Sequence, residues 1–324
     1  MTIWIRRLFV ALSVAVGVFP AIQAHAGTWP DRPITLVVPF APGGSTDATA
    51  RLLASELNDV LGKPVVVENR GGAGGNIGAT FVARSAADGY TFLLATNAQA
   101  AARKLYRQLQ YDLTKDFTPV APVVSFPNVL VVRADFPAKT LKEFIAYVTN
   151  KKGPMNYGSA GNGSSHHLAT ALFNRLIHGS MVHIPFKGGG PANVALLGGE
   201  VQMNIAPLVE VMPHINAGKL RPLGVTTTEP AALYPDVPTI DSVLNGYDIK
   251  LWSAVLAPSG TAPEIIEKMN AAIRKVLHKP DVAKKLKAMG YSIFDDSVQQ
   301  SKDFFNAELE RWGKMVDASG AQIN

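Results

Sequence analysis

The residues best equipped for chemistry in this 324-residue chain lie in one glycine-rich run, Asn156-Tyr157-Gly158-Ser159-Ala160-Gly161-Asn162-Gly163-Ser164-Ser165-His166-His167-Leu168. Serine beside histidine suggests acyl transfer, but no Gly-x-Ser-x-Gly elbow is present, and neighbours on one helix start do not make a triad. Two histidines suggest zinc. His166 and His167, however, point to different faces of a helix, no His-Glu-x-x-His occurs, and zinc takes three or four ligands at defined spacing. A less demanding chemistry fits the same residues: Ser164 or Ser165 caps a helix, and its hydroxyl and His167 supply hydrogen bonds to a ligand oxygen. Capping alone for the serines, and a structural role for His167, stand beside that reading.

Three more glycine-rich loops share the character of this one. Pro39-Phe40-Ala41-Pro42-Gly43-Gly44 and Pro185-Phe186-Lys187-Gly188-Gly189-Gly190 repeat the spacing Pro-Phe-x-x-Gly-Gly, and residues 71–78 carry a further cluster. A helix N-terminus offers unpaired N–H groups and a partial positive charge, so a glycine loop that opens a helix is a plausible anion cradle. Tight turns are the plainer explanation of any single loop; four of them favour a ligand cleft. Lys187 adds a charge that a carboxylate can meet. Nucleotides fit poorly, because no loop ends in Gly-Lys-Ser/Thr and the run from Gly72 to Gly78 misses the dinucleotide fingerprint by one position. His178, His183, His214 and His278 are scattered and receive no chemical role. Trp252 reads as core before ligand wall.

Such loops need strands and helices to place them, and the hydrophobic pattern supplies both. A strand at 34–39 precedes the first loop, and Ala50, Leu53, Leu57, Val60 and Leu61 recur at helical spacing until Gly62. Residues 65–68 read as strand, 70–78 as loop, 79–86 as helix and 90–96 as strand. After Pro119, residues 120–132 read as two strand pieces joined at a bend by Pro127. A second set follows: helices at 141–149, 166–177 and 192–197, with strands at 155–159, 182–186, 201–205 and 223–227. Residues 251–258 form another strand, and helices at 263–276, 281–289 and 298–316 pack back on the first sheet. Alternation of this kind implies α/β architecture with doubly wound sheets, whose strand ends are where ligands bind. The α/β fold expected has two lobes, and the chain crosses between them twice, near 125–128 and 246–250. The expected lobes are 27–127 with 250–324, and 128–249.

Composition removes other classes. With Lys+Arg 31 against Asp+Glu 25, 47% hydrophobic residues and no cysteine, the chain is an ordinary globular one without thiolate metal sites, a cysteine nucleophile or disulfides. The mild positive balance suits acidic small molecules, while Lys284, Lys285 and Lys287 read as a solvated helix face and not as a nucleic-acid footprint. Arg6 and Arg7 precede an apolar run that Pro20 ends about a dozen residues on, and Ala24-His25-Ala26 follows, the pattern of a cleaved secretory signal at 1–26. A spanning helix needs roughly 20 apolar residues, so a permanent anchor is the weaker reading. The expected product is soluble, exported to the periplasm and monomeric.

Taken together, the motifs make the chain resemble the Bug-type receptors, the extracytoplasmic solute-binding proteins of tripartite tricarboxylate transporters. They are Val-Pro-Phe-Ala-Pro-Gly-Gly-Ser-Thr-Asp from Val38, the Gly71 and Asn156 runs, Ala-Asp-Gly-Tyr-Thr from Ala87, His-Ile-Pro-Phe-Lys-Gly-Gly-Gly-Pro-Ala from His183, and Leu-Tyr-Pro-Asp-Val-Pro-Thr from Leu233. The resemblance implies a hinged trap for a small carboxylate, no cofactor, no enzymatic activity, and membrane permease subunits as partners. It implies ligand contacts from Phe40, Ala41, Gly43, Gly44, Ser45, Thr46 and Thr96 in the first lobe, and from Ser159, Gly163, Ser164 and His167 in the second. Asn128 near the crossover and Asn204 complete the set. Some relatives carry an acid directly after the strand at 201–205, where this chain continues Ala206-Pro207. That departure favours a ligand without an amino group, and Phe40, Phe126 and Trp252 admit an aromatic dicarboxylate such as terephthalate. A secreted Ser/His hydrolase using Ser164 or Ser165 with His167, and a sensor presenting the same acid to a signalling partner, are the alternatives.

Overall fold

The structure is a computed structural model that describes residues 29–150, 153 and 155–321. The expected signal segment, 1–26, lies outside the described residues. In chain order the elements are β1 (Ile34–Val38), α1 (Ser45–Leu61), β2 (Val65–Asn69), α2 (Asn76–Ala83), β3 (Thr91–Thr96), α3 (Asn97–Leu105), β4 (Phe117–Arg133), α4 (Leu141–Asn150), β5 (Asn156–Ser159) and α5 (Ser165–Leu176). They continue with β6 (Val182–Pro185), α6 (Gly189–Gly198), β7 (Met203–Pro207), α7 (Leu208–Asn216), β8 (Leu220–Val225), β9 (Lys250–Pro258), α8 (Pro263–Leu277), α9 (Pro280–Ala288), β10 (Ser292–Ile293) and α10 (Val298–Ser319).

Strand order is β2-β1-β3-β9-β4-β7-β5-β6, with β8 and β10 both on β4. β1, β2 and β3 pair in parallel, as do β5, β6 and β7, which is the doubly wound pattern that strand–helix alternation dictates. Antiparallel pairing enters where the chain changes lobe: β9 runs against both β3 and β4, because it returns from the second lobe. β4 is one unbroken strand and not two pieces at a bend. Its first part pairs with β9 as far as Pro127, its last with β7 and β8 from Asn128 onward, and register shifts near Pro119 and Pro122 absorb the missing donors.

Apolar side chains fill the layers between helices and sheet. Leu36, Val38, Leu53, Leu57, Phe92, Val255, Met269 and Ile273 are all nearly or fully buried under α1 and α8 in the first lobe. α8 packs on α1 and β4 as expected, but α10 lies on both lobes: the Asp317 carboxylate pairs with Lys104 of α3, and its carbonyl accepts from Arg175 of α5. Among the described residues no helix is long and apolar enough to cross a membrane.

The second crossover is stitched to the first. Thr226 N–H donates to the Asn128 carbonyl at 3.0 Å, Ile249 N–H donates to the Thr226 carbonyl at 2.7 Å, and the Thr226 hydroxyl meets the Asn128 N–H and the Ile249 carbonyl. Two chain passages far apart in sequence are thus joined side by side.

Candidate functional site

The β1–α1 loop must turn sharply and still leave its N–H groups aimed outward. Gly43 holds φ +90, a left-handed conformation that costs a side-chain-bearing residue energy. Its N–H donates to Asp47 Oδ2 at 3.0 Å, and Asp47 also accepts from Arg51 and from Asn69. Burial alone would raise the Asp47 carboxyl; these hydrogen bonds outweigh it and hold the group below the ordinary carboxylate range. α1 then begins behind Gly44 without any side-chain cap.

Opposite stands the start of α5. Ser164 is its N-cap, with its Oγ accepting from the His167 N–H at 3.3 Å. His167 Nδ1 accepts from the Gly163 N–H at 3.1 Å, so the proton of the neutral ring sits on Nε2. Its ring stacks on that of His183 with centroids 4.0 Å apart, and His183 Nε2 meets Ser159 Oγ at 2.5 Å. Burial brings His167 down to about 4, and burial together with His167 brings His183 to about 3. Neither Ser164 nor Ser165 is bonded to the His167 ring in this arrangement, so the dyad that the hydrolase alternative requires is not assembled.

Between the lobes the loops enclose a cavity of about 40 Å³. Phe40, Ala41, Gly44, Ser45 and Thr46 form one wall, Thr96, Asn97 and Ala98 the next, and Ala160 with Ser164, Ser165 and His166 the face opposite. Phe126, Leu251 and Trp252 close the side formed by β4 and β9, while Gly189, Pro207 and Glu210 complete the second-lobe wall. Phe40 and Ala160 also border an outer chamber of about 400 Å³, lined by Gly72 to Gly75, Tyr106, Gly161, Asn162 and Pro185 to Lys187. The lobes touch across this chamber: Tyr106 Oη lies 3.2 Å from the Asn162 carbonyl.

Seven of the residues implied by the resemblance therefore meet at the inner cavity: Phe40, Ala41, Gly44, Ser45, Thr46, Thr96 and Ser164. Gly43, Ser159, Gly163, His167 and Asn204 are not in its lining. Asn204 is engaged elsewhere: its Oδ1 accepts from the Gly158 N–H, and its Nδ2 donates to the Ala192 carbonyl and Asn193, which leaves no polar atom for a ligand. Asn128 differs. It is fully buried, and both of its side-chain polar atoms lack a partner. So do Asn97 Nδ2, Ser253 Oγ and both ring nitrogens of His166, the kind of unmet demand that a ligand or water satisfies.

No acid follows the strand at 201–205 directly, but a carboxylate from further along the chain, Glu210, does line the cavity. β7 extends to Pro207, two residues beyond the strand read from the sequence, so the acid that follows it is Glu210 in the first turn of α7. Its Oε1 accepts from the Ser45 N–H at 2.8 Å, and its Oε2 lies 3.4 Å from His166 Nε2. Burial would raise this carboxyl; His166 and Ser45 together hold it below its ordinary range. The sequence signal was available, as an acid in the first turn of a helix is a common N-terminal mark, but Pro207 and Pro213 concealed the helix.

Residues 49–321 match the family described as the tripartite tricarboxylate transporter family receptor. The chain belongs to that receptor family. Solved structures agree with its members across nearly their whole length. The periplasmic binding protein BugD is 32% identical, with a TM-score of 0.86 over 91% of this chain and 99% of that one. Rpa4515 of Rhodopseudomonas palustris, solved with adipate, is 36% identical, with a TM-score of 0.87 over 91% and 100%. MatC of the same organism, solved with bound malate, is 36% identical, with a TM-score of 0.84 over 89% and 99%. The receptor has the two-lobed periplasmic-binding-protein fold, and its homologues are binding proteins.

Proposed function

We propose that this receptor captures a small organic carboxylate between its lobes in the periplasm and delivers it, chemically unchanged, to membrane permease subunits. The observation that carries the reading is the inner cavity itself: the uncapped start of α1 and the Ser164-capped start of α5 face each other across it, with unpartnered polar atoms of Asn97 and His166 between. Burying an ionised carboxylate costs several kcal/mol, and each charge-assisted hydrogen bond returns roughly 1.5–3 kcal/mol, so a site needs several preformed donors. In our reading the lobes are 27–127 with 250–324 and 128–249, and the protein works as a monomer. Malate and adipate, bound by the two relatives, define the starting class. Phe40, Phe126 and Trp252, which line the same cavity, support an aromatic diacid of the terephthalate kind as well.

Thermal denaturation of the mature protein with adipate, malate, terephthalate and aspartate tests this. A ligand at 100 times its dissociation constant adds about 2.7 kcal/mol of stability. Protection by at least one acid, recovered intact afterwards, is expected; protection by none, or conversion of the acid, overturns the reading.

A further inference from the structure

The donor that should greet a ligand carboxylate is already taken. Ser45 opens the 17-residue helix α1, its N–H is one of those left unpaired by helix geometry, and Gly44 before it supplies no cap. Glu210, from the other lobe, accepts that N–H at 2.8 Å with a side chain only 6% exposed. The seat is tight on both sides. A Cβ on Gly44 would come within 3.3 Å of Oε1, and one on Gly189 within 1.9 Å of Oε2. Oε2 meets only His166 Nε2, 3.4 Å away at the long limit of a hydrogen bond, and His166 Nδ1 has no partner at all. What remains of the cavity, about 40 Å³ where a single water needs roughly 10–15 Å³, is room for a few waters and not for a dicarboxylate.

We propose that Glu210 is a built-in occupant of the cleft: in the ligand-free closed protein its carboxylate fills the anion cradle at the start of α1 and latches the lobes together, and a captured acid must expel it. Half-satisfied as it is, the latch is weak enough to lose to a ligand that engages the free donors as well. Glu210 thereby sets a threshold, admitting acids with enough polar groups to win the exchange and rejecting simpler anions. The latch stands on the geometry alone, whereas the exchange rests on the carboxylate-capture reading.

The chain contains no cysteine, so paired labels can be introduced cleanly at Val66 of β2 and Val194 of α6, which are 52% and 68% exposed. Spin-label distances in the ligand-free V66C/V194C protein are expected to lengthen and broaden on Glu210→Ala, and to change less on Glu210→Gln, which keeps the shape without the charge. An unchanged distribution in both variants overturns the latch. Calorimetric titration with adipate and malate then tests the exchange: Glu210→Gln is expected to bind about ten-fold more tightly, since the competing charge-assisted bond is replaced by a neutral one. Binding weakened by the substitution makes Glu210 a ligand contact and overturns the exchange. If none of adipate, malate, terephthalate and aspartate binds either protein, the capture reading fails, and the distance measurement still decides the latch.

Discussion

At the residue scale the stacked imidazoles of buried His167 and half-buried His183 are the most consequential groups outside the cavity. Both are neutral in the folded protein, with proton affinities brought down to about 4 and about 3 from an ordinary value near 6.5. The unfolded chain therefore binds protons that the folded one refuses, and stability must fall as pH drops below about 6.5, until the folded rings themselves protonate. Urea midpoints measured between pH ~7 and ~5 are expected to decline, and His183→Gln, which keeps a polar partner for Ser159, should flatten that decline. Polar residues as a group were the hardest to place from sequence. The run around Ser164 announced itself by composition, yet Ser159 and Asn204 spend their polar atoms inside the protein, and composition says nothing about where a hydrogen bond is aimed. Glu210 was missed for the complementary reason. Its chemistry depends on α7 beginning directly after β7, and two prolines obscured that junction.

Long amphipathic elements were legible because their periodicity is strong: α1, α8 and α10 all fall within a few residues of the positions read from apolar spacing. α3 went unread, although Thr96 and Gln99 form a capping box, since it is short and follows β3 with no loop between them. α2 and α6 begin three residues earlier than expected because their glycines belong to the helix. A Cβ on Gly78 would fall 2.9 Å from the Arg70 carbonyl and from Pro39 Cα, so glycine there lets the helix press on the end of β1. α10 carries a different device, in which the buried Glu308 carboxylate accepts the indole N–H of Trp252 at 2.6 Å and that of Trp312 at 3.0 Å. Glu308→Leu would strand both donors and is expected to cost about 2–5 kcal/mol, while Glu308→Gln, which retains an acceptor, should cost well under half of that. Chemical denaturation of the two variants side by side checks the difference.

At the scale of the whole molecule, the two-lobed plan followed from strand–helix alternation, but the closeness of the lobes did not, because it depends on contacts between segments far apart in sequence. Gly74 shows how close they are: with φ +65, a Cβ there would stand 2.1 Å from the Asn162 carbonyl of the opposite lobe. Gly74→Ala is therefore expected to hold the lobes ajar. The measurable outcome is a loss of ligand affinity of about ten-fold or more, by calorimetric titration, with little change in the melting temperature of the ligand-free protein. A final consequence belongs to β4, which passes from one lobe into the other without interruption and pairs with strands of both. Such a member behaves like a torsion bar: the halves can twist about it, but neither can come apart while the other keeps its order. Heating should thus produce one endotherm instead of two, and a receptor caught half melted should be a rare species.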